Sequence, residues 1–443
     1  MKSPQLGLFD LTMIVVGLVI GMGIFRTATD SASAALTPTV FFAAWLVGGL
    51  VALCGALTYA EIGSRHPATG GYYTIFSYAY HPALAFSINC IILVSNAASV
   101  AAVSLIGAGY ASKVLFAGPV SDMVKMGIAM GAIILFYGVN LMGLRMSAQA
   151  QNVLMVIKIG MVLLLISALF FPAIYHEPAA AEVVAPEGDW LLYVKSFGLS
   201  LVAVSFTYGG YQQTINFGQE VRNASRTIPR GIFIGITMII VLYCLVNYSY
   251  YKVIGFNDLK ETKEVASVMV GKLFGDTGAL VFSGLLFLSV LAYVNVNLLS
   301  NPRVMYAMSE DGVLPATFKK KAEKRDVLTV SLSIFAALII VVLFFAKTVN
   351  ELLSFSIFLD CFGMAMSAGS IFVLRKRTRH LDGTGIYKMK AYPLLPLIFI
   401  AAYTFIALSI VFAKPVTALI GIAVLGIFMA LYFIKKYLQH ERA

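Results

Sequence analysis

Charged residues are scarce in this sequence. Asp, Glu, Lys and Arg make up 12% of its 443 residues, whereas hydrophobic residues make up 60%. Soluble globular chains carry about 25% charged residues. A soluble globular fold is therefore excluded, and the chain has to be divided into membrane spans rather than into soluble domains.

Cysteines, histidines and familiar catalytic motifs are also rare or missing. The four cysteines fall inside apolar runs, so we expect no disulfide. The five histidines lie in loops or in the C-terminal tail, without the spacing of metal ligands. The sequence lacks the phosphate-binding Gly-x-x-x-x-Gly-Lys motif, the Gly-x-Ser-x-Gly elbow and the His-Glu-x-x-His pair. We therefore expect neither an enzyme nor an ATP-driven pump, and no metal or other cofactor.

Long apolar runs are abundant. A helix needs about 20 residues to cross a bilayer, and twelve runs are long enough, near residues 11–29, 40–61, 84–110, 123–143, 150–171, 194–217, 231–254, 278–299, 328–346, 352–374, 393–412 and 415–434. We therefore predict an all-α membrane protein with 12 transmembrane helices, embedded in a lipid bilayer.

The Lys and Arg residues indicate how these helices are oriented. The net charge is +11, and 21 of the 32 Lys and Arg fall in the tails and in the loops that share a side with the N-terminus. Cytoplasmic loops carry such an excess. The bias predicts a multi-pass protein of the cell membrane with both termini in the cytoplasm, and it accounts for the charge without a nucleic-acid partner.

Two of the twelve spans contain glycines and polar residues in their interiors. Span 1 contains Gly21 and Gly23, and span 6 contains the run from Ser205 to Gln213, which includes Gly209 and Gly210. Unwound backbone at that depth is tolerated only where it is buried in protein or lines a cavity. We therefore predict two interrupted helices beside a binding site; close packing of intact helices at the glycines is the alternative.

The numbering of the two unusual spans indicates an inverted repeat. Spans 1 and 6 correspond to each other if spans 1–5 and 6–10 are two halves of opposite orientation, an arrangement that places the substrate of many secondary transporters near mid-membrane. This interpretation gives a first half, a second half and two additional C-terminal spans, at residues 1–171, 172–390 and 391–443.

Short motifs in four separate regions follow one another along the chain. They are Gly21-Met22-Gly23-Ile24-Phe25, then Tyr59-Ala60-Glu61-Ile62-Gly63 with Gly70-Gly71, then Phe206-Thr207-Tyr208-Gly209-Gly210 with Glu220 and Pro229, and finally Asn295 to Pro315 with Arg303. They resemble the amino acid, polyamine and organocation (APC) transporter superfamily, especially the L-type amino acid transporters. The resemblance covers spans 1–10 and implies transport of an amino acid. Because the outer loop near 112–122 has no cysteine, the disulfide-linked partner subunit of animal L-type transporters is not expected.

A free amino acid carries a carboxylate and an ammonium group, and burying either without a partner is costly. The N–H groups of the span 1 interruption are expected to hold the carboxylate, and the carbonyls of the span 6 interruption are expected to hold the ammonium. The resemblance implies that Phe206 also closes over the substrate. The predicted substrate-binding residues are Gly21, Met22, Gly23, Ser205, Phe206, Thr207, Tyr208 and Gly209.

Lys158 is the only Lys or Arg placed well inside an unbroken span, and an intramembrane charge is a functional hypothesis by default. Its ammonium needs acceptors, for which the span 1 carbonyls and Asn297 or Ser300 of span 8 are candidates. In sodium-coupled relatives of this fold a sodium ion links spans 1 and 8. The resemblance implies that the span 5 lysine replaces it, so we expect sodium independence; a lysine that snorkels to the inner face is the alternative.

Three acids are candidates for titrating or gating groups. Asp360 lies on span 10 at a position that corresponds to Lys158 in the inverted repeat, and it is expected to titrate during transport or to anchor an outer gate. Glu61 and Glu220 lie at the predicted cytoplasmic ends of spans 2 and 6, where an inner-gate network is expected. The arginines near them in sequence are Arg65, Arg222 and Arg226. Inert ion pairs and solvated helix ends are the alternatives.

Together these features predict a secondary active transporter that moves a neutral L-amino acid by alternating access, without sodium, as an exchanger or a proton-coupled symporter. No acid falls within either interrupted segment, whereas a polyamine or a lysine side chain would need one near its distal charge. A polyamine or cationic amino acid antiporter is the alternative, favoured if Asp360 faces the site. A membrane sensor that binds an amino acid without transporting it is a third.

Overall fold

The computed structural model describes residues 6–68, 70–116, 118–171, 190–262, 264–322, 327–345, 349–382 and 385–440. These residues form helices joined by short turns, and no strand occurs among them beyond two isolated bridges. The α-helices are α1 Leu8–Val19, α2 Gly23–Ala34, α3 Pro38–Arg65, α4 Gly71–Ala79, α5 Pro82–Leu115, α6 Asp122–Leu141, α7 Leu144–Ser167, α8 Trp190–Tyr208, α9 Ala224–Ile254, α10 Phe256–Glu261, α11 Val265–Glu310, α12 Thr329–Phe345, α13 Val349–Arg377, α14 Leu394–Ala413 and α15 Pro415–His440.

Eleven segments of the described residues are long and apolar enough to cross a membrane. The pair α1–α2 counts as one of them, and so does α8 together with the short helix that follows it. The predicted ninth span is α12, whose 17 residues are at the lower limit of about 17–25 residues for a crossing helix. The prediction of an all-α, multi-pass membrane protein is confirmed, and eleven of the twelve predicted spans have the length of a full crossing.

Several helices begin where the sequence supplies a capping residue. The Thr37 hydroxyl accepts the N–H of Val40 at the start of α3, where Pro38 occupies the first helical position. The Ser121 hydroxyl accepts the N–H of Val124 at the start of α6. These side chains satisfy N–H groups that have no acceptor within the helix, and a proline at the first position loses no helical hydrogen bond.

The interrupted helices lie inside the bundle. α2 packs against α8, α1 packs against α7 and α9, and α5 packs against both α11 and α13. Small residues allow the close contacts that helices make within a membrane: Gly107 of α5 faces Val290 of α11, and Gly363 of α13 faces Ile92 of α5. This packing surrounds the ends of α1, α2 and α8 with α5, α11 and α13.

Candidate functional site

The first interruption separates α1 from α2. α1 ends at Val19 and α2 begins at Gly23. The N–H of Gly21 donates to the carbonyl of Val19 at 2.7 Å, so the expectation that this N–H is free to hold a carboxylate is wrong. Met22 and Gly23 open α2, where the first N–H groups of a helix have no acceptor within that helix.

The second interruption follows α8, which ends at Tyr208. Gly210 has φ of 113°, and a short 3₁₀ helix, Tyr211–Asn216, continues the chain. Glycine adopts this backbone conformation readily because it lacks Cβ. A Cβ at Gly210 would also collide with the backbone carbonyl of Leu18, so the glycine is required for the turn and for its contact with α1.

The two interruptions touch each other. A Cβ on Gly23 would lie 2.8 Å from the Thr207 Oγ1 and 3.0 Å from the Thr207 Cα, so α2 approaches α8 as closely as a glycine permits. The hydroxyl of Thr27, one turn further along α2, is hydrogen-bonded to the hydroxyl of Thr207. The start of α2 and the end of α8 are thereby held together.

A cavity of about 50 Å³ lies between the two interruptions. A water molecule requires about 10–15 Å³ of such space, so the cavity accommodates a few water-sized groups. Among the described residues, its lining contains no Lys or Arg. Seven of the eight predicted substrate-binding residues line it: Gly21, Met22, Gly23, Ser205, Phe206, Thr207 and Gly209.

Tyr208 is the predicted residue that the structure does not bring to the cavity. Its ring packs against Trp45 of α3 and Tyr243 of α9, with ring centroids 6.0 Å and 5.1 Å apart. Successive residues of a helix point about 100° apart. Tyr208 therefore faces α3 and α9, while its neighbour Thr207 faces α2.

The backbone carbonyls at the end of α8 are only partly free. The carbonyl of Phe206 accepts the N–H of Gly209 at 3.4 Å, a long and weak hydrogen bond. The last four carbonyls of a helix have no donor within it, so those of Ser205 and Thr207 also need partners from outside α8. The end of this helix thus offers acceptors beside the donors at the start of α2.

Other walls of the cavity carry polar side chains that are not among the eight predicted substrate-binding residues. They are Asn96 and Ser99 from α5, Gln212 and Gln213 from the short helix after α8, and Tyr293 from α11. Asn96 and Ser99 were visible in the sequence as polar residues within an apolar span, which is the available signal. The Gln213 Nε2 donates to the Asn96 Oδ1 at 3.2 Å, whereas the buried Gln213 Oε1 has no hydrogen-bond partner in the described part of the chain.

Lys158 is completely buried, which excludes snorkelling. Its ammonium donates a hydrogen bond to the carbonyl of Ile20, in the gap between α1 and α2. The span 8 acceptors proposed from the sequence bond elsewhere: Asn297 donates to a carbonyl of its own helix at 3.0 Å, and the Ser300 hydroxyl accepts the Asn216 amide at 3.2 Å. Lys158 therefore links α7 to the interruption of span 1, while Asn297 lines the cavity.

Asp360 lines the cavity from α13. Its Oδ1 accepts the Ser95 hydroxyl at 2.6 Å. The Ser356 hydroxyl lies 2.9 Å from that of Ser95 and 2.6 Å from that of Ser99. Within the described residues, no Lys or Arg forms an ion pair with Asp360. An acid with hydroxyl neighbours thus faces the same space as the two interruptions.

A second polar region lies where α3 and α13 end. Glu61 is completely buried and is contacted at 2.7 Å by both Arg65 and Arg375. Its Oε2 also accepts the backbone N–H of Met389 at 2.8 Å. We call this network the Glu61 cluster; its members are Glu61, Arg65, Arg375, Asp382 and Lys388.

Asp382 extends the Glu61 cluster towards the surface. It accepts hydrogen bonds from Arg65 at 2.7 Å and from Lys388 at 3.0 Å. The hydrogen bond from Arg65, followed by that from Lys388, lowers the pKa of Asp382 from 3.8 to about 2. The carboxylate is therefore ionised throughout the physiological pH range.

Glu220 belongs to a separate ion pair. Its Oε2 lies 3.0 Å from the Arg303 Nη2 of α11, and the Arg303 guanidinium lies 4.7 Å from the centre of the Phe217 ring. Each of the two acids is thus paired with arginine, and the described ion pairs of Glu61 and Glu220 share no residue. Arg65 was anticipated as a partner, whereas Arg375 and Arg303 come from distant helices.

A bundle of apolar helices in which two interrupted helices enclose a polar cavity is an arrangement found in many transporters. The sequence profile of the amino acid permease family matches residues 6–435, and the chain belongs to this family. The family is part of the APC superfamily, so the resemblance found in the motifs is confirmed. Its members are permeases rather than enzymes.

Three relatives illustrate the range of the family. The chain is 25% identical to the serine/threonine exchanger SteT of Bacillus subtilis, over 98% of this chain and 97% of the relative. It is 24% identical to the mouse large neutral amino acids transporter small subunit 2, over 99% and 82% of the two chains. It is 25% identical to the branched-chain amino acid permease BcaP of Bacillus subtilis, over 98% and 93%. All three names describe amino acid transporters, with different substrates.

Proposed function

We propose that this protein is a secondary active transporter of a neutral L-amino acid, which works by alternating access without sodium, as an exchanger or a proton-coupled symporter. The observation that carries the proposal is the cavity between the start of α2 and the end of α8. The proposed scaffold is the inverted repeat of residues 1–171 and 172–390, with residues 391–443 added outside it.

The cavity can satisfy both charged groups of an amino acid. The N–H groups of Met22 and Gly23, at the positive end of α2, suit the carboxylate. The carbonyls of Ser205 and Thr207, at the negative end of α8, suit the ammonium. Phe206 lines the same cavity and is proposed to cover the bound substrate.

The choice of a neutral substrate rests on the charges around the cavity. Among the described residues that line it, there is no Lys or Arg for an acidic side chain, and neither interrupted segment contributes an acid. The relatives named for serine, threonine, branched-chain and large neutral amino acids support the same class. The small cavity favours a small substrate, such as serine.

Sodium independence is proposed from the position of Lys158. Its ammonium binds the carbonyl of Ile20, an acceptor that the interruption of span 1 releases and that would otherwise be available to a cation. A fixed positive charge at this position disfavours a second cation by direct repulsion.

The proposed location is the cell membrane, with both termini in the cytoplasm, as the distribution of Lys and Arg indicates. In this orientation the Glu61 cluster and the pair of Glu220 with Arg303 lie at the cytoplasmic face, where we propose that they hold the inner gate. No disulfide-linked partner subunit is included in the proposal.

Uptake of labelled amino acids into proteoliposomes tests the proposal. We expect uptake of neutral L-amino acids that is unchanged when choline replaces sodium and is driven by internal amino acid or by a pH gradient. The Gly210→Ala variant is expected to give no flux, because the added Cβ would collide with the backbone carbonyl of Leu18. Uptake that requires sodium would contradict the assignment of Lys158, and binding without flux would identify a sensor.

A second candidate is an antiporter of polyamines or cationic amino acids. The observation that favours it is the position of Asp360 on the cavity wall, because a distal ammonium group would need such a partner. Including lysine, arginine, ornithine and putrescine in the same uptake panel distinguishes this candidate from the first.

A further inference from the structure

The binding of a neutral amino acid leaves one charged group of the cavity unused. Asp360 is partly exposed and lines the cavity, and it has no ion-pair partner among the described residues. An ionised carboxylate at membrane depth is costly unless a cation or a proton neutralises it. A cation or a proton that enters the cavity must therefore neutralise the Asp360 carboxylate for at least part of the transport cycle.

We propose that Asp360 carries a proton that crosses the membrane together with the substrate. The carboxylate forms an O–H bond with a proton from water on the side of higher proton concentration when the amino acid binds. The same O–H bond breaks when the proton is released to water on the other side. This inference rests on the proposed function, because it concerns how transport through that same cavity is driven.

The neighbours of Asp360 can stabilise both protonation states. A hydroxyl group both donates and accepts hydrogen bonds and can rotate between the two roles. The Ser95 hydroxyl donates to the carboxylate at 2.6 Å, and after protonation it can accept the carboxylic O–H and turn its own hydrogen to Ser356, 2.9 Å away. The hydroxyl groups of Ser95 and Ser356 thus accommodate the proton without moving a helix.

Among the residues that the structure describes, no other group around Asp360 competes for this role. The titratable groups that face it are phenols and a thiol, which are neutral at neutral pH, and the polar side chains that α5 contributes are hydroxyl groups and an amide, which do not titrate. They are Tyr59 of α3, Tyr72 of α4, Tyr293 of α11, Tyr403 of α14 and the adjacent Cys361. Asp360 is therefore the acid in this neighbourhood whose charge can change at neutral pH.

The substrate itself provides the coupling. A bound amino acid brings its own carboxylate into the cavity that Asp360 lines, and two carboxylates close together favour the retention of a proton by one of them. Substrate binding therefore raises the proton affinity of Asp360, and protonation raises the affinity for the substrate by the same factor. A cationic side chain is the competing source of the missing charge, but the cavity of about 50 Å³ has little room for a long one.

The experiment uses the full-length protein in proteoliposomes, with labelled serine and a neutral amino acid panel, and with the membrane potential clamped at zero. Counterflow exchange is measured without a pH gradient, and net accumulation is measured with an inside-alkaline gradient of about one pH unit. Such a gradient supports up to about tenfold accumulation for one proton per substrate. A pH dye inside the liposomes reports acidification when the substrate is added.

Three variants and one control test the residue. Asp360→Asn is expected to keep counterflow and to lose both the accumulation and the acidification, whereas Asp360→Glu is expected to retain them. Ser95→Ala removes the donor that stabilises the carboxylate, so the pH profile of uptake is expected to shift upwards by about one pH unit. Asp276→Asn changes the same chemical group at an exposed position and is expected to behave like the wild type.

The outcomes separate this inference from the proposed function. Counterflow in the wild type without pH-driven accumulation would overturn the proton at Asp360 and leave the transporter intact, whereas no flux of any neutral amino acid would overturn the proposed function. Retained accumulation in Asp360→Asn, or a loss confined to cationic amino acids, would also overturn the inference. If Asp360→Asn fails to fold, the pH profile of Ser95→Ala decides: an upward shift supports the inference, and an unchanged profile overturns it.

Discussion

Two polar regions of this protein satisfy their charges in opposite ways. In the Glu61 cluster, Glu61 is contacted by two guanidinium groups and a backbone N–H, and Asp382 is contacted by an arginine and a lysine. In the central cavity, Asp360 has a single serine donor to its Oδ1, and the buried Gln213 Oε1 has no partner in the described chain. The first region is saturated with internal partners, and the second is not.

The difference indicates what each region is for. Buried polar groups that are fully paired fix one arrangement of the chain, so the Glu61 cluster is suited to hold α3 and α13 together. Buried groups without partners cost free energy, and the cavity keeps them where a substrate or water can supply the missing hydrogen bonds. We therefore expect changes in the cluster to lower the stability of the state in which the proposed inner gate is closed, and changes in the cavity to affect mainly the binding and transport of the substrate.

The largest effect is expected for Glu61→Gln. The variant keeps the shape of the side chain but removes the charge that Arg65 and Arg375 share. Removing one partner of a buried ion pair costs about 3–5 kcal/mol. We expect a clear loss of stability, measured as a lower Tm of the purified protein in detergent.

The control for this prediction is an exposed ion pair. Glu310→Gln removes the partner of Lys319, and these two side chains are 48% and 43% exposed. Exposed pairs contribute about 0.2–1 kcal/mol, so the Tm should hardly change. Equal Tm values for Glu61→Gln and Glu310→Gln would show that the Glu61 cluster is not the stabilising region of this comparison.

The next largest effect is expected for Gly23→Ala in the cavity. The added methyl group would lie within 3.0 Å of Thr207, and overpacking of this kind costs about 1–3 kcal/mol. The methyl group pushes the start of α2 away from the end of α8 and so displaces the backbone groups that face the substrate. We therefore expect uptake to be at least about tenfold slower. Gly160→Ala is the matched control, since no atom lies within 4 Å of its Cβ position; similar uptake by both variants would contradict the prediction.

The sequence was sufficient for the features that depend on local composition. Apolar length identified the spans, and the glycines of spans 1 and 6 indicated where the helices are interrupted. Seven of the eight residues chosen from these two segments line the cavity, because consecutive residues of an interrupted segment stay together in any fold. Tyr208 does not, since its direction depends on how α8 is rotated against α3 and α9.

The sequence was insufficient where distant residues become partners. Arg375 lies 314 residues beyond Glu61, and nothing in the local pattern of either segment indicates their contact. The carbonyl of Ile20 was foreseen as an acceptor for Lys158 only as one of several candidates, because the choice depends on how α7 packs against α1. The sequence likewise did not predict that Asn96 and Ser99 line the cavity, because this depends on how α5 packs beside α11 and α13.

A smaller effect is expected for Gln213→Leu, which removes the unpartnered Oε1 from the cavity. Stability should change little, because the variant loses a buried acceptor without a partner but also removes the donor that Gln213 supplies to the Asn96 Oδ1. If a substrate or its bound water uses this oxygen, the KM for uptake should rise by about tenfold, which corresponds to about 1.4 kcal/mol. Asn89→Leu is the control, because its Oδ1 is also buried without a partner but does not line the cavity; an equal rise in KM for both would contradict a specific role of Gln213.

The smallest effect is expected for Asp382→Asn, and it should depend on pH. Arg65 and Lys388 lower the pKa of Asp382 in the folded protein to about 2, below its ordinary value of 3.8. Its ionised form therefore stabilises the folded protein above about pH 4, and this contribution is lost as the pH falls through about 2. The Tm of the wild type should exceed that of the variant at neutral pH, and the difference should shrink between about pH 4 and pH 2. A Tm difference that stayed constant over that interval would contradict this prediction. It would mean that the charge of Asp382 does not stabilise the folded protein, so that only the contacts of Glu61 with the two arginines do.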